Sequence, residues 1–439
     1  MQHSKALTTA IGAAMMMIYG AAQAAPFASF DPRTMAMGGA GVAVGNAGSA
    51  PFFNPALLAV TAAEDDFALE LPIIGARFYD PDDFTDAMDN FQDSTVMEDL
   101  DAAIAAFNAA PGDTTAMRSA LSDLDGELIK LGSKPLQGEL GAAMVVGIPS
   151  KKFGVAFSAS GSATFGGIVN YKDSPIFATL DNDLATLQGC IDALDYTNCQ
   201  SLTYVDGSGN VTFGTAADVA SSVDVRGLIL REVALSFSRE VELGGQTFAV
   251  GVTPKYVNAT VLDYSANVET SDDDDFDGDD YTYDYSHFNM DLGIAKDYAN
   301  GWRTGFVVKN LLSQTYDTYR MNTATGQKEK TGNSIKTSPQ ARIGVSHQGK
   351  LYTLAADIDL TANDPIGYEG KSRYVALGAE FNAWDWAQLR VGYRANTEDS
   401  NRNVWSAGIG LSPFGAHFDL AVSGNADEVG ASMQLGFRF

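Results

Sequence analysis

Strict alternation of apolar residues with small or polar ones is the feature that most limits how this chain can fold. The alternation is clearest at the C-terminus, over residues 428–439. A period of two places successive side chains on opposite faces of a β-strand, whereas a helix repeats every 3.6 residues. The segment is therefore predicted to be a strand. Its apolar face consists of Val429, Ala431, Met433, Leu435, Phe437 and Phe439.

The same alternation recurs along the chain and predicts fourteen strands. In each of them one face is apolar and the other is small, polar or charged, as in Leu354, Ala356 and Ile358 against Asp357 and Asp359. The predicted strands are 66–77, 138–149, 151–172, 228–242, 246–262, 284–297, 301–312, 339–348, 350–361, 372–383, 386–396, 402–412, 416–424 and 428–439.

The connections between these strands alternate in length. Long connections such as 78–137 and 173–227 are followed by short ones such as Ser150 and 243–245. Short periplasmic turns and longer external loops are typical of up-and-down barrels in the outer membrane of Gram-negative bacteria. The fold class is predicted to be all-β, a transmembrane antiparallel barrel of about fourteen strands over 66–439, with both termini on the periplasmic side.

The strands of a soluble β-sandwich also alternate apolar and polar residues. The number and position of the aromatic residues distinguish a sandwich from a membrane barrel. Fourteen long strands in a sandwich must bury many aromatic residues in one core, whereas a membrane barrel turns its apolar face to lipid. Three of the four tryptophans, Trp302, Trp384 and Trp386, lie beside predicted short turns, as an interfacial girdle requires. Alternating strands also average to the observed mean hydropathy of -0.06. The net charge of -27 argues against direct nucleic-acid contact.

The N-terminus predicts export. Residues 1–24 combine Lys5, a stretch rich in Ala and Met, and a small-x-small cleavage pattern, which is typical of a signal peptide. Exported proteins reach an oxidising compartment, so Cys190 and Cys199 are predicted to form a structural disulfide.

The segment at 25–65 is rich in glycine and leads into the first strand. It contains Gly38, Gly39 and Gly41, followed by Asn54, Pro55 and Ala56. A nucleotide-binding loop is disfavoured, because no strand precedes the glycines and no Walker lysine follows. The arrangement resembles the N-terminal hatch of the FadL-like long-chain fatty acid transporters. That resemblance implies a fourteen-stranded barrel with this segment plugging the lumen; a periplasmic tail is the alternative.

Within that superfamily the sequence is most similar to the exported conjugal transfer TraF-like proteins. The likeness rests on the opening at 26–33, on 35–41 and on Asn54-Pro55-Ala56. It implies either passive uptake of a hydrophobic small molecule through a hatch-plugged barrel or an accessory role, with a protein partner, in plasmid conjugal transfer. A barrel for surface recognition through its large loops is a third reading.

Two of the long connections carry helical periodicity. Apolar residues recur at helical spacing over 97–133 and 176–194, which predicts helices in external loops. In the resembled transporters such loops form a cap with an apolar capture groove. The simpler reading is that the apolar faces of the two insertions pack on each other.

The acidic loop at 271–284 matches the spacing of a calcium-binding loop, with Asp in place of the usual bidentate Glu. Two readings stay open: a calcium site, or an acidic external loop that is simply solvated. No other cofactor is indicated. An enzyme is not predicted, since His287, His347 and His417 lie at no metal-ligand or triad spacing. The candidate calcium ligands are Asp273, Asp275, Asp277, Asp279 and Asp284.

Overall fold

Fourteen antiparallel strands close a barrel, as the sequence predicts, and two further strands form a separate hairpin. The computed structural model describes residues 30–61, 66–195, 199, 201–267, 278–322, 325–384 and 386–438. The strands are β1 Ala68–Tyr79, β2 Leu136–Ile148, β3 Gly154–Asn170, β4 Ser222–Leu243, β5 Gln246–Asn267, β6 Thr282–Asp297, β7 Trp302–Lys309, β8 Gln314–Asn322, β9 Gln327–Thr337, β10 Gln340–Gln348, β11 Tyr352–Asp359, β12 Tyr374–Trp384, β13 Ala387–Asn396, β14 Val404–Leu411, β15 Ala416–Gly424 and β16 Glu428–Arg438.

Helices occupy the N-terminal segment and the long connections. Three of them coincide with the helical periodicity at 97–133 and 176–194: Val96–Ala109 (α5), Thr115–Leu131 (α6) and Ser174–Ala193 (α7). The helix before them, Phe84–Asp93 (α4), has no counterpart in the sequence prediction. None of the helices among the described residues has the length and apolarity needed to cross a membrane. The helices are α1 Pro32–Ala36, α2 Ala50–Phe53, α3 Leu57–Val60, α4 Phe84–Asp93, α5 Val96–Ala109, α6 Thr115–Leu131, α7 Ser174–Ala193, α8 Thr215–Asp218 and α9 Gly278–Tyr281.

The first and last barrel strands close the sheet. β1 pairs with β2 on one side and with β16 on the other, both antiparallel. The register of both pairings shifts between Glu70 and Ile73, where Leu71 and Pro72 form a bulge. Proline has no N–H to donate to a neighbouring strand, so a bulge is a place where it can be accommodated.

An apolar band bordered by aromatic residues surrounds the barrel. Along β6 and the residue after it, the outward side chains run from Phe288 through Leu292 and Ile294 to Tyr298, and all four are at least one third exposed. Ten residues at about 3.3 Å each, tilted by about 40°, span roughly 25 Å, the height of the apolar band of membrane barrels. Aromatic side chains mark both borders: Phe153, Trp302, Trp386 and Phe437 at the short-turn end, and Tyr256, Phe288, Tyr393 and Trp405 at the other.

Strands β3 to β6 continue beyond this band on the side of the long connections. β4 and β5 have 22 residues each, whereas β11 and β14 have eight. The outward face of β5 changes from Tyr256 to the polar Asn258 at the border. Beyond the border the outward face of the extended sheet is covered by α4 to α7, and the inward face of β4 and β5 by the β8–β9 hairpin.

The helices form one apolar core on the outside of the extended sheet. Their buried side chains include Leu124, Leu128, Leu180 and Leu184, which pack together with outward residues of β2 to β5 such as Val223. Cys190 of α7 is bonded to Cys199 within this core, as predicted. The insertions therefore pack on each other and beside the barrel, and not as a cap across its mouth.

Candidate functional site in the barrel interior

Residues 30–61, here called the lumenal segment, run inside the barrel. Nearly all of their side chains are buried, and α1 to α3 are each only four or five residues long. Asp31 caps α1 by accepting a hydrogen bond from the amide of Thr34 at 2.8 Å. The segment fills the lumen on the side of the short turns, where the amide of Ser150 donates to the carbonyl of Leu58 at 3.0 Å.

An ion-pair network ties the start of the segment to the wall. Arg33 donates to both carboxylate oxygens of Glu380, at 2.8 and 2.9 Å, and to the carbonyl of Val44 at 2.8 Å. Glu380 also accepts from Arg390 at 2.8 Å, and Arg390 donates in turn to Asp419. Two guanidinium groups and two carboxylates thus compensate one another in a buried site, where an unpaired charge is costly.

The glycines of the predicted hatch motif make the closest turns of the segment. Gly38 and Gly39 have φ values of 71° and 93°, a conformation that side chains other than glycine rarely adopt. The amide of Gly38 donates to the hydroxyl of Ser406 at 3.0 Å. The amides of Gly41 and Val42 both donate to one oxygen of Asp357, at 2.8 and 2.9 Å. The backbone of this turn is therefore held by inward side chains of β11 and β14.

Asn54 binds the lumenal segment to the inner face of the wall. Its amide nitrogen donates to the carbonyls of Val42 at 3.0 Å and Ile294 at 3.1 Å, and its carbonyl oxygen accepts from the amide of Ala56 at 3.1 Å. Pro55 fixes the intervening turn. The structure brings Asn54, Pro55 and Ala56 together against β5 and β6, near the level of Gly41.

Nine inward-facing glycines of the wall, here called the glycine ring, receive the segment. A side chain at any of them would collide with the segment or with the side chains that bind it; Gly392, for example, lies against the amide nitrogen of Gly38. Several are direct cross-strand partners, such as Gly378 and Gly392. The segment therefore fits without a gap along most of the circumference. The ring consists of Gly75, Gly141, Gly251, Gly293, Gly305, Gly344, Gly378, Gly392 and Gly408.

A polar cavity of about 90 Å³ lies between the lumenal segment and the external loops. Its floor is formed by Thr34, Met35 and the Gly38–Gly39 turn, and its roof by the connection at 362–370. Glu369 in this roof accepts hydrogen bonds from the amides of Ile366 at 2.8 Å and Gly367 at 2.9 Å. Burial raises the pKa of Glu369. The charged side chains that line the cavity are Arg77, Glu139, Lys336, Arg342, Asp364, Glu369, Arg394 and Arg402.

An apolar groove of about 150 Å³ lies in the external helical domain, outside the lumen. It runs between α5 and α7 and is lined by Phe107, Pro111, Leu187 and Ile191, with the turn at 206–209 at its polar edge. The groove lies over the same core that joins the helices to the extended sheet. The groove is therefore separate from the charged cavity and lies on the side of the long connections.

The predicted calcium loop lies mostly outside the described residues. Asp273, Asp275 and Asp277 belong to this part, and calcium binding there stays a prediction. Asp279 lies in α9, and Asp284 on β6 accepts a hydrogen bond from Thr260 at 2.5 Å. Among the described residues no group of three potential metal ligands comes together. The signal peptide predicted at 1–24 also lies outside the described residues.

The interior charges were not singled out by the sequence. Asp357, Glu380 and Arg390 lie on the polar faces of predicted strands, and His417, considered in the sequence as a metal or triad residue, binds Glu70 at 2.5 Å. Their position in the sequence was the available signal. Charged residues on the inward face of a barrel strand need partners inside the barrel, because an unpaired buried charge is costly.

Comparisons with known proteins agree with this architecture. The Ralstonia pickettii toluene transporter TbuX matches with 13% identity and a TM-score of 0.50, over 94% of this chain and 98% of that one. The monoaromatic hydrocarbon channel CymD matches with 11% identity and a TM-score of 0.50, over 95% and 99%. A FadL homologue from Pseudomonas aeruginosa matches with 11% identity and a TM-score of 0.47, over 93% and 98%. The barrel fold, as predicted, is shared with TbuX and CymD.

Sequence comparison assigns the chain to a family. No curated protein matches it. The family model described as "F plasmid transfer operon, TraF, protein" matches residues 51–359, which include the end of the lumenal segment and the strands from β1 to β11. Because this match covers more than half of its length, the chain belongs to that TraF family.

Proposed function

We propose that the protein spans the outer membrane and admits small hydrophobic molecules passively. The apolar band and its two aromatic borders support the membrane location, because such a surface is unfavourable in water and matches a bilayer in height. The predicted signal peptide is consistent with export. The shared fold of TbuX and CymD makes a channel the first function to test, although at such low identity their cargo is not transferred with the fold.

The apolar groove between α5 and α7 is the observation that supports a hydrophobic cargo. An apolar cavity of about 150 Å³ in another protein is large enough to bind benzene. The groove has a similar volume and an apolar lining of Phe107, Pro111, Leu187 and Ile191. We assign it the role of external capture site, from which cargo moves toward the barrel.

The onward path requires motion, because the lumenal segment closes the barrel at the end of the short turns. The β8–β9 hairpin packs through Tyr316 and Ile335 on the inward face of β4 and β5, and the lumenal segment closes the opposite end. We propose that the lumenal segment is a hatch, held on β5 and β6 by Asn54-Pro55-Ala56 and by the helix α3 that follows. Opening it must break the Arg33–Glu380 pair or shift it together with the segment.

Uptake measurements test the proposal. Cells that carry the gene are compared with a deletion strain for accumulation of labelled toluene and of fatty acids of several chain lengths. The expected result is faster uptake of at least one of these compounds with the protein present. Equal rates for every compound would contradict hydrophobic uptake.

A pair of variants connects uptake to the groove. Ile191→Asn places an amide in the groove, whereas Ile129→Asn places one on the exposed surface of α6, where Ile129 is 53% exposed. Ile191→Asn is expected to reduce uptake several-fold at low cargo concentration, while Ile129→Asn leaves it unchanged. Equal effects of the two would remove the groove from the path.

Membership in the TraF family favours a second candidate, an accessory role in plasmid conjugal transfer. The solvent-facing surfaces of α4 to α6 carry many carboxylates, which disfavours DNA as the contact and allows a protein partner. A mating assay between strains with and without the gene tests this role. Normal transfer frequency in the deletion strain would exclude it.

A further inference from the structure

Arg402 is a buried guanidinium without a carboxylate partner. The residue is 6% exposed and lines the polar cavity. It donates to the amide oxygen of Gln137 at 2.8 Å and stacks over the ring of Tyr79 at 4.5 Å. Its Nε has no hydrogen-bond partner, and no ion pair joins it to any of the described residues. A buried cation in this state is costly unless an anion or water completes its contacts.

With Arg402 included, the side chains that line the cavity carry a surplus of positive charge, although Arg342 and Arg394 are each paired with a carboxylate outside the lining, Asp359 and Glu428. Five cationic residues line it against three carboxylates, in a chain whose net charge is -27. The Nε of Arg394 also lacks a hydrogen-bond partner, although Nη2 of the same residue is paired with Glu428 at 2.6 Å. The cationic residues are Arg77, Lys336, Arg342, Arg394 and Arg402.

The volume of the cavity and its opening to solvent limit the class of ligand that it can bind. A volume of about 90 Å³ holds several waters or a small organic anion, but not a long chain. Lys336 and Asp364 at the rim are exposed, so the cavity opens toward the external side. A planar carboxylate suits a guanidinium better than a hydrocarbon does, because its two oxygens accept parallel hydrogen bonds.

We propose that this cavity is a binding site for a small organic carboxylate, with Arg402 as its principal ligand and Lys336 at its entrance. The bound anion rests on the Gly38–Gly39 turn of the lumenal segment, which forms the floor. The site does not depend on hydrophobic uptake: it is separate from the apolar groove and has the opposite chemistry. Binding at the floor gives the carboxylate direct contact with the segment that closes the barrel.

Titration calorimetry of the full-length protein in detergent tests the site, with succinate, inorganic phosphate and toluene as probes. Succinate is expected to bind with a Kd near or below about 1 mM and more tightly than phosphate. Arg402→Gln is expected to weaken succinate binding roughly tenfold or more, because it removes the charged donor. Arg373→Gln is the matched control, since Arg373 lies at the same end, is 44% exposed and pairs with Glu398 away from the cavity.

Lys336→Gln keeps the test decisive if Arg402→Gln fails to fold. Lys336 is exposed, so its replacement should leave folding intact, and it is expected to weaken succinate binding two- to fivefold, roughly the effect of one screened charge. Altered migration on unheated gels verifies that each barrel is folded. The proposal is overturned if succinate does not bind the folded protein, if phosphate binds more tightly, or if the variants that fold bind succinate as tightly as Arg373→Gln does. Toluene uptake is scored separately, so either proposal can fail alone.

Discussion

Arg33 and Glu380 lie 347 positions apart and form a two-pronged ion pair inside the barrel, with N···O distances of 2.8 and 2.9 Å. Arg33 belongs to the short helix α1 of the lumenal segment and Glu380 to β12. The pair joins the start of the lumenal segment to a wall strand near the C-terminus. The segment and the wall therefore stabilise each other.

Replacing Glu380 is expected to loosen the lumenal segment. Glu380→Gln leaves the buried guanidinium of Arg33 without its carboxylate, a loss of about 3–5 kcal/mol for a buried pair. The midpoint of urea unfolding in detergent should fall, and protease should cleave the segment sooner. Asp364→Asn is the control, because Asp364 and Lys371 are exposed and such pairs contribute about 0–1 kcal/mol. Equal shifts for both variants would contradict the role of the buried pair.

The glycine ring predicts opposite effects of one substitution at two sites. Gly392→Ala places a methyl group against the backbone of Gly38, and overpacking of this kind costs about 1–3 kcal/mol. Gly189→Ala lies in α7 with no atom within 4 Å, and alanine there favours the helix by up to about 1 kcal/mol. Unfolding midpoints of the two variants should move in opposite directions. A Gly392→Ala barrel as stable as the parent would show that the segment does not press on the wall.

Acid is expected to release the β8–β9 hairpin from β5. Asp263 lies beyond the apolar band, where it is buried and accepts hydrogen bonds from Thr318 at 2.6 Å and Asn333 at 2.9 Å, and pairs with Arg320 at 2.5 Å. Burial alone raises the pKa of Asp263, but these donors outweigh it and hold the pKa below its usual value. The resulting stability is present above the unfolded pKa of about 3.9 and is lost as the pH falls through the lower folded value.

Hydrogen–deuterium exchange of 314–337 measures this release as a function of pH, after correction for the intrinsic exchange rate. Protection should be constant from about pH 5 to 8 and should fall in the acid range below about pH 4. Asp263→Asn should lower protection at neutral pH and flatten the profile. Asp317→Asn serves as control, since Asp317 is exposed and pairs with the exposed Lys330. A parent profile as flat as that of Asp263→Asn would rule out this anchor.

Reduction of the Cys190–Cys199 bond is expected to destabilise the helices and spare the barrel. Closing a loop of about ten residues stabilises by about 2–3 kcal/mol in the chain-entropy description. The helical circular-dichroism signal should melt earlier with reductant, while gel migration of the unheated barrel stays unchanged. The Cys190→Ser, Cys199→Ser double variant should melt early in either condition. If the helices of the parent protein melted at the same temperature with and without reductant, the expectation would be contradicted.

The barrel strands could be predicted because each outward face repeats every second residue, independently of its neighbours. The β8–β9 hairpin was not predicted because only Tyr316 and Ile335 of it enter the buried apolar core, and most of its other side chains are polar. The helix α4 was not predicted either, since it buries only Phe84, Met88 and Phe91.

The interior contacts depend on which strand faces which part of the lumenal segment, and local sequence does not contain this information. Asn54 was recognisable as a turn residue, but its bond to Ile294 joins positions 240 apart. The glycine ring is partly visible in the sequence as a trace, because glycines recur on the polar face of several predicted strands. That trace predicts a close neighbour inside the barrel without saying which residues provide it.

The glycine ring has a consequence for the cell envelope. Without the lumenal segment, nine of the fourteen strands have no side chain at this level, so the barrel would enclose a wider pore in the outer membrane, where we propose that the protein lies. The permeability barrier against antibiotics and detergents then rests on contacts such as that of Ala36 with Gly408. On that proposal, a substitution that displaces the segment would make the envelope leaky, whatever the natural cargo is.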